Sequence, residues 1–263
     1  MGLPIYVVDA FTDKAYKGNP AGVCITTEPL EDSQMQNIAA EMNLSETAFL
    51  FPFEDGYSLR WFTPVAEVEL CGHATLASAH ILWEIEHLKN DMQAVFHTKS
   101  GRLTAKKEGS WIYLNFPVEA GVECSSYPSD LTEALNIDPL YVGQNRFDYL
   151  IEIESAEVLK SIEPNFSLLK MVQTRGIIVT AKSNEFDFIS RCFYPAVGID
   201  EDPVTGSAHC YLAHHWSQKL EKIHLNAYQA SSRGGILKIH LENDRVILAG
   251  QAVTVIKSEI IIY

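Results

Sequence analysis

Arg60-Trp61-Phe62-Thr63-Pro64 is followed, eight residues beyond its proline, by Gly72 and the run His73-Ala74-Thr75-Leu76-Ala77-Ser78-Ala79-His80-Ile81-Leu82. Arg191-Cys192-Phe193-Tyr194-Pro195 is followed, eleven residues beyond its proline, by Gly206 and the run opening Ser207-Ala208. Both pentapeptides read R-x-F-x-P, and each leads through a glycine into a candidate helix, His73–Leu88 and Ser207–Leu220. The first half of His73–Leu88 is apolar or small on every side, the pattern of a helix buried all round. Ser207–Leu220 is rich in small and aromatic residues. A shared order of strand, turn, glycine and buried helix reads as a tandem duplication of one β-rich unit, each copy wrapping strands around its central helix.

Working outward, the first copy begins with a strand at Leu3–Phe11, a turn at Lys17-Gly18-Asn19-Pro20-Ala21-Gly22 and a strand at Val23–Thr26. Glu31–Met42 has helical spacing, and strands follow at Thr47–Pro52, Tyr57–Thr63, Ala94–Thr98, Leu103–Lys107 and Trp111–Phe116. A polar stretch, Ala120–Ser129, reads as a linker, placing the halves at 1–117 and 118–263. The second half has helix-like segments at Leu131–Asn136, Ala156–Ile162 and Phe166–Met171. Its strands are Gly176–Thr180, Phe186–Tyr194, Gly235–Leu241, Arg245–Gly250 and Val253–Lys257.

The 263 residues carry a net charge of −14, which repels a phosphate backbone or an anionic membrane over most of the surface, so neither nucleic acid nor membrane is an expected partner. No apolar run is long enough to span a bilayer. The opening residues lack a basic leader and have Tyr6 where a myristoylation signal wants Ser or Thr, so the reading is cytoplasmic. Cys24, Cys71, Cys124, Cys192 and Cys210 form no C-x-x-C pair and no His-spaced ligand set, which argues against a disulfide framework and against a metal site.

Facing copies related by a pseudo-twofold axis would bring their helix starts together. Gly72-His73-Ala74 and Gly206-Ser207-Ala208 then form a cradle of unpaired N–H groups and partial positive charge suited to a carboxylate, although a turn glycine and a simple N-cap serine read as well. Asp202, held by Pro203 just ahead of the second helix, is either a cap or a proton-handling group; three acids in Asp200-Glu201-Asp202 otherwise read as a solvated turn. Glu46 leads straight into an apolar strand, where desolvation would raise its pKa towards neutrality and suit it to take and return a proton. The alternative is a Glu ending a strand in water. His73, at a helix start, is biased towards neutral imidazole by the dipole. His80, His209, His214 and His215 read as structural. There is no G-x-S-x-G, no P-loop and no recognisable cofactor motif, so the site reads as cofactor-free.

Six ordered segments now carry a resemblance. They are Val8-Asp9-Ala10-Phe11, Gly18-Asn19-Pro20-Ala21-Gly22-Val23, Asn43-Leu44-Ser45-Glu46-Thr47-Ala48-Phe49, Arg60–Pro64, Leu70-Cys71-Gly72-His73-Ala74-Thr75 and Glu201-Asp202-Pro203-Val204-Thr205-Gly206-Ser207-Ala208. Together, over essentially the whole chain, they resemble the PhzF-like (phenazine biosynthesis) isomerase family. The resemblance implies an α+β, diaminopimelate epimerase-like fold of two pseudo-symmetric halves, each a β-barrel-like sheet around a central helix. It also implies a final strand, 253–263, that returns to the first half, and a homodimer. The implied activity is a cofactor-independent proton shift on a small unsaturated or amino-substituted carboxylic acid, like dihydro-hydroxyanthranilate isomerisation. Glu46 is the implied acid/base, His73 and Asp202 its polar partners, and Gly72, Gly206 and Ser207 the substrate-holding residues. Epimerases of this fold use a thiol from each half. Here Cys71 precedes Gly72 but Thr205 precedes Gly206, which disfavours a two-thiol racemase. An amino-acid epimerase with one thiol and a non-catalytic small-molecule-binding or interaction module stay open beside the isomerase.

Overall fold

The computed structural model describes residues 2–261 and divides into two compact units, Met1–Asn115 with Ala249–Tyr263, and Phe116–Leu248. In the first, β1 (Gly2–Ala10) lies antiparallel to β2 (Asn19–Ile25). After α1 (Asp32–Met42) comes β3 (Glu46–Phe53), parallel to β2, and then β4 (Gly56–Phe62), antiparallel to β3. A two-residue strand β5 (Glu67–Val68) pairs with the end of β4 and leads to α2 (Gly72–Glu84). Then β6 (Ala94–Thr98) runs parallel to β4, with β7 (Gly101–Glu108) and β8 (Trp111–Pro117) following antiparallel.

The helix α2 packs on β1, β2 and β3 and is buried from His73 through Ala79 and again at Ile81–Trp83, as its small-residue composition requires. It ends at Glu84, four residues short of the expected Leu88. Glu86 turns to φ 60° and the Leu88 N–H returns to the Leu82 carbonyl, so the apolar pattern runs on through a non-helical cap. On the other side of the sheet, α1 places Met35, Ile38 and Ala39 against Ile5, Cys24, Phe49 and Phe62.

The second unit repeats this order. β9 (Val122–Glu123) pairs with β10 (Tyr141–Gln144), with α3 (Ser129–Glu133) between them. β10 lies antiparallel to β11 (Asp148–Glu152). After α4 (Ala156–Ser161) and α5 (Phe166–Leu169), β12 (Gly176–Lys182) runs parallel to β11 and β13 (Phe188–Tyr194) antiparallel to β12. The short β14 (Ile199–Asp202) pairs with β13 and leads to α6 (Gly206–Leu220). Parallel to β13 runs β15 (His224–Gln229), followed by β16 (Gly235–Glu242) and β17 (Arg245–Gly250). Strand for strand, β10 to β17 repeat the senses of β1 to β8. The last strand, β18 (Ala252–Ile261), pairs antiparallel with β1 in the first unit, as β9 does with β10 in the second. Of the expected returning strand 253–263, the last two residues lie outside the described residues.

Several expectations need correction. The stretch 120–129 is not simply a linker, because β9 lies within it. Asp200-Glu201-Asp202 is not a solvated turn but strand β14. Asp200 stays exposed and Asp202 is buried, while Glu201 between them is clamped by Arg191, with Nε–Oε1 at 2.7 Å and Nη2–Oε2 at 2.9 Å. The first unit has the same clamp: Arg60 holds Glu67 with both bonds at 2.8 Å. The arginines are the first residues of the two R-x-F-x-P segments, and each glutamate stands five residues before its helix glycine. The three extra residues of the second copy therefore lie between proline and glutamate, where a 3-10 turn, Pro195–Val197, takes them up. Strands 141–144, 148–152 and 224–229 were not signalled by alternation. β11 is buried at every position, so it has no polar face to alternate. No helix among the described residues is long and apolar enough to cross a membrane.

Candidate active site

Glu46 is the first residue of β3, where the register sets it opposite Ala21 of β2. Cys71 is the N-cap of α2, and Gly72 and His73 are its first two residues; no side chain caps this start in the usual way. The fold brings these segments together. His73 Nε2 lies 3.2 Å from Glu46 Oε2, and Cys71 Sγ lies 3.5 Å from His73 Nδ1. All three are withdrawn from solvent, Cys71 to 7% and His73 to 5% exposure, and 14% of the Glu46 side chain is exposed. Asn19, fully buried at the start of β2, sets its amide 3.3 Å from His73 Nδ1 and holds the ring from behind. Gly18 makes that turn possible. Its φ of +65° is left-handed, and a Cβ there would stand 2.1 Å from the Ala10 carbonyl oxygen.

The electrostatics differ from the neutral imidazole expected at a helix start. Burial works against the charged form of His73, but the Cys71 sulfur and the Glu46 carboxylate outweigh it, and the pKa is raised well above the ordinary value. The dipole of one helix start is the weaker influence because a carboxylate lies within hydrogen-bond reach. Burial pushes the Cys71 thiol up to about 11, with the Glu46 charge adding to the effect and the His73 ring working against it.

In the second unit the N-cap of α6 is Thr205. Its hydroxyl donates to Asp202 Oδ2 at 2.5 Å, and its N–H donates to Gln229 Oε1 at 2.8 Å. Gln229, fully buried on β15, returns a bond from Nε2 to the Asp202 carbonyl at 2.7 Å. Asp202 is thus built into a buried network beneath the start of α6. Gly206 and Ser207 are the first two residues of that helix, and the Ser207 hydroxyl lies 3.4 Å from Nη2 of Arg175. Arg175 is itself held by Asp148 on β11, through Nε–Oδ1 at 2.9 Å and Nη2–Oδ2 at 2.5 Å.

Glu46 and His73 are therefore joined within the first unit, while Asp202, Gly206 and Ser207 surround one helix start in the second. Sequence reasoning did not single out Asn19, Arg175, Asp148 or Gln229. Asn19 sits in the quoted Gly18–Gly22 segment, so a signal existed; an arginine before a strand and a lone glutamine gave none. Cys71 touches the His73 ring.

A duplicated α+β unit with a buried helix in each copy defines an epimerase-like fold. The same fold is seen in a probable proline racemase from Agrobacterium radiobacter, with a TM-score of 0.64 over 99% of this chain and 93% of that one at 10% identity. The chain belongs to the PhzC-PhzF family of phenazine biosynthesis-like proteins, whose model matches residues 8–258. It is 62% identical to an uncharacterized isomerase of Halalkalibacterium halodurans over the full length of both. It is 39% identical to a crystallised phenazine biosynthesis protein of the PhzF family from Enterococcus faecalis, with a TM-score of 0.94 and complete coverage of both chains. Relatives in Halalkalibacterium halodurans and Pseudomonas aeruginosa are named as uncharacterized isomerases.

Proposed function

We propose that this isomerase moves a proton on a small unsaturated or amino-substituted carboxylic acid by acid/base catalysis without a cofactor, in the manner of dihydro-hydroxyanthranilate isomerisation. The carrying observation is the 3.2 Å contact between Glu46 Oε2 and His73 Nε2 at the start of α2. As a carboxylate, Glu46 accepts a proton from an activated carbon of the substrate. As a carboxylic acid, it returns that proton to another carbon of the conjugated system, so no net proton is gained or lost. An imidazolium at His73 stabilises negative charge that develops on the substrate. The N–H group at Gly72 is assigned to the substrate carboxylate, and Gly206, Ser207 and Asp202 are kept as the candidate substrate-holding and polar residues of the second unit. The reading includes a homodimer in the cytoplasm with a small carboxylate as partner.

A second reading, an amino-acid epimerase using one thiol, is favoured by the placing of Cys71 beside His73. The thiol pKa of about 11 weighs against it, since the nucleophilic and basic form is the thiolate.

The test is deuterium incorporation from D2O into cyclic unsaturated and amino-substituted carboxylic acids, dihydro-hydroxyanthranilate included, followed by NMR. Exchange by the wild type that vanishes in Glu46→Gln is expected. Exchange that survives Glu46→Gln and vanishes in Cys71→Ser would move the reading to the epimerase, and binding without turnover of any acid would move it to a binding module.

A further inference from the structure

Spacing along the sequence argued against a metal site, yet the fold assembles a thiol, an imidazole and a carboxylate that no spacing rule registers. We propose that Cys71, His73 and Glu46 form a binding site for one soft divalent cation, zinc above all, and that occupancy switches the enzyme off. The inhibitory half of this rests on the role given to Glu46 above; the binding half does not.

The donor set is one sulfur, one nitrogen and one oxygen, which is the chemistry zinc selects over magnesium or calcium. Zinc bonds of about 2.3 Å to sulfur and about 2.0–2.1 Å to nitrogen and oxygen make the edges of a tetrahedron about 3.3 Å for N···O and about 3.6 Å for S···N. The observed separations are 3.2 Å for His73 Nε2 to Glu46 Oε2 and 3.9 Å for Cys71 Sγ to His73 Nε2. All three donor atoms lie within 4.8 Å of one another. The sulfur now lies nearer Nδ1, at 3.5 Å, than Nε2, so closing the set around one ion requires the Cys71 side chain to swing towards the Nε2 edge of the ring.

Three protein ligands leave a fourth position for water or a substrate oxygen. The Asn19 amide stands 3.3 Å from Nδ1 through Nδ2; turned over, its Oδ1 would accept the Nδ1–H of a metal-bound imidazole. On binding, the Cys71 thiol proton and the Nε2 proton of the His73 imidazolium both pass to solvent and the metal takes the thiolate and the neutral ring, so the ligand set is neutralised locally by the ion. Glu46 then has its lone pairs on the metal and none for a carbon-bound proton.

The first experiment titrates the purified, metal-free, full-length protein with Co2+ in a buffer without thiols. A saturable sulfur-to-cobalt charge-transfer band, displaced by one equivalent of Zn2+, is the expected result. Cys71→Ser should abolish the band, and His73→Asn should weaken Zn2+ binding by about tenfold or more in calorimetry. Cys124→Ser should leave both unchanged, since that thiol lies outside the cluster. The other His–carboxylate group of the first unit, Glu54, Asp55 and His97, holds no sulfur and cannot give the band. Should Cys71→Ser fail to fold, protection of Cys71 from alkylation by Zn2+ in the wild type replaces it. Absence of the band, or a band kept in Cys71→Ser, overturns the site. Binding with exchange activity unimpaired overturns the switch alone, whereas loss of exchange in metal-free Glu46→Gln tests the isomerase reading separately.

Discussion

Glu46 and Gly176 occupy the same position in the two copies of the repeat. Thr47 pairs with Phe62 and Ile177 with Phe193, the phenylalanines being the third residues of the matched R-x-F-x-P segments, so the residues just before Thr47 and Ile177 are equivalent. One copy carries a carboxylate there and the other has no side chain. Space explains the difference: a Cβ on Gly176 would stand 2.1 Å from Cε1 of the buried Tyr194 and 2.9 Å from Asp148 Oδ1. The duplication has diverged into a first half that presents a proton-handling carboxylate and a second half in which Asp148 and Arg175 fill the corresponding ground.

Gly176→Ala is accordingly expected to destabilise the protein by about 1–3 kcal/mol through overpacking against Tyr194. Urea unfolding measures this. A neutral result would mean that Tyr194 can move aside, and the divergence would need another cause.

The raised pKa of His73 sets a direction for the pH profile. The imidazolium is fully present below the ordinary histidine value and is lost as pH rises through the raised folded value, so exchange should fall on the alkaline side. His73→Asn is expected to lower the rate by about 10²–10⁴-fold and to remove that alkaline limb. A limb unchanged in position in the variant would assign it to another group.

His209 behaves in the opposite sense. Burial lowers its pKa to about 4, while its Nδ1 stays 2.7 Å from the Thr205 carbonyl oxygen. The unfolded chain takes up this proton below about pH 6.5 and the folded chain does not until about 4, so stability is lost as pH falls through that window, by up to about 3 kcal/mol. In His209→Asn, whose amide can reach the same carbonyl, the acid slope of unfolding free energy should shrink. Chemical denaturation at several pH values decides the matter.

The two arginine clamps should not be equal. Arg60 binds Glu67 and the exposed Asp32, and screening holds the worth of this partly exposed group to about 1 kcal/mol. Arg191 binds Glu201 and also donates to the Ile162 carbonyl at 2.7 Å, with only 12% of its side chain exposed. Arg191→Met should therefore cost more than Arg60→Met, by about 1–2 kcal/mol, since it strands a backbone acceptor as well as a carboxylate. Equal losses in thermal or urea unfolding would count against the carbonyl bond.

Much of the fold was legible because a helix wrapped in strands must be apolar all round, and His73–Leu82 and Ser207–Leu220 show it twice. The R-x-F-x-P pair was legible for a reason the residues alone did not disclose: its arginine clamps an acid whose partner is set by distance in space. Glu46 stood out by its contrast with the apolar strand it opens. Asn19 and Gln229 did not, since a buried amide is recognised by what it faces, and both face residues far along the chain, His73 and Asp202. The state of His73 was misread for a similar cause. Besides the neighbouring Cys71, the partner that raises its pKa is Glu46, 27 residues away in sequence and 3.2 Å away in the fold.

The pairing of β18 with β1 has a consequence for the birth of the molecule. During synthesis β1 leaves the ribosome with β2 on one side and nothing on the other, and its second neighbour, β18, is made only after the whole second unit. The first unit therefore waits for the second to be synthesised before its sheet can be completed. A chain arrested shortly before residue 252 would carry a bare strand edge, open to any extended segment of another nascent copy.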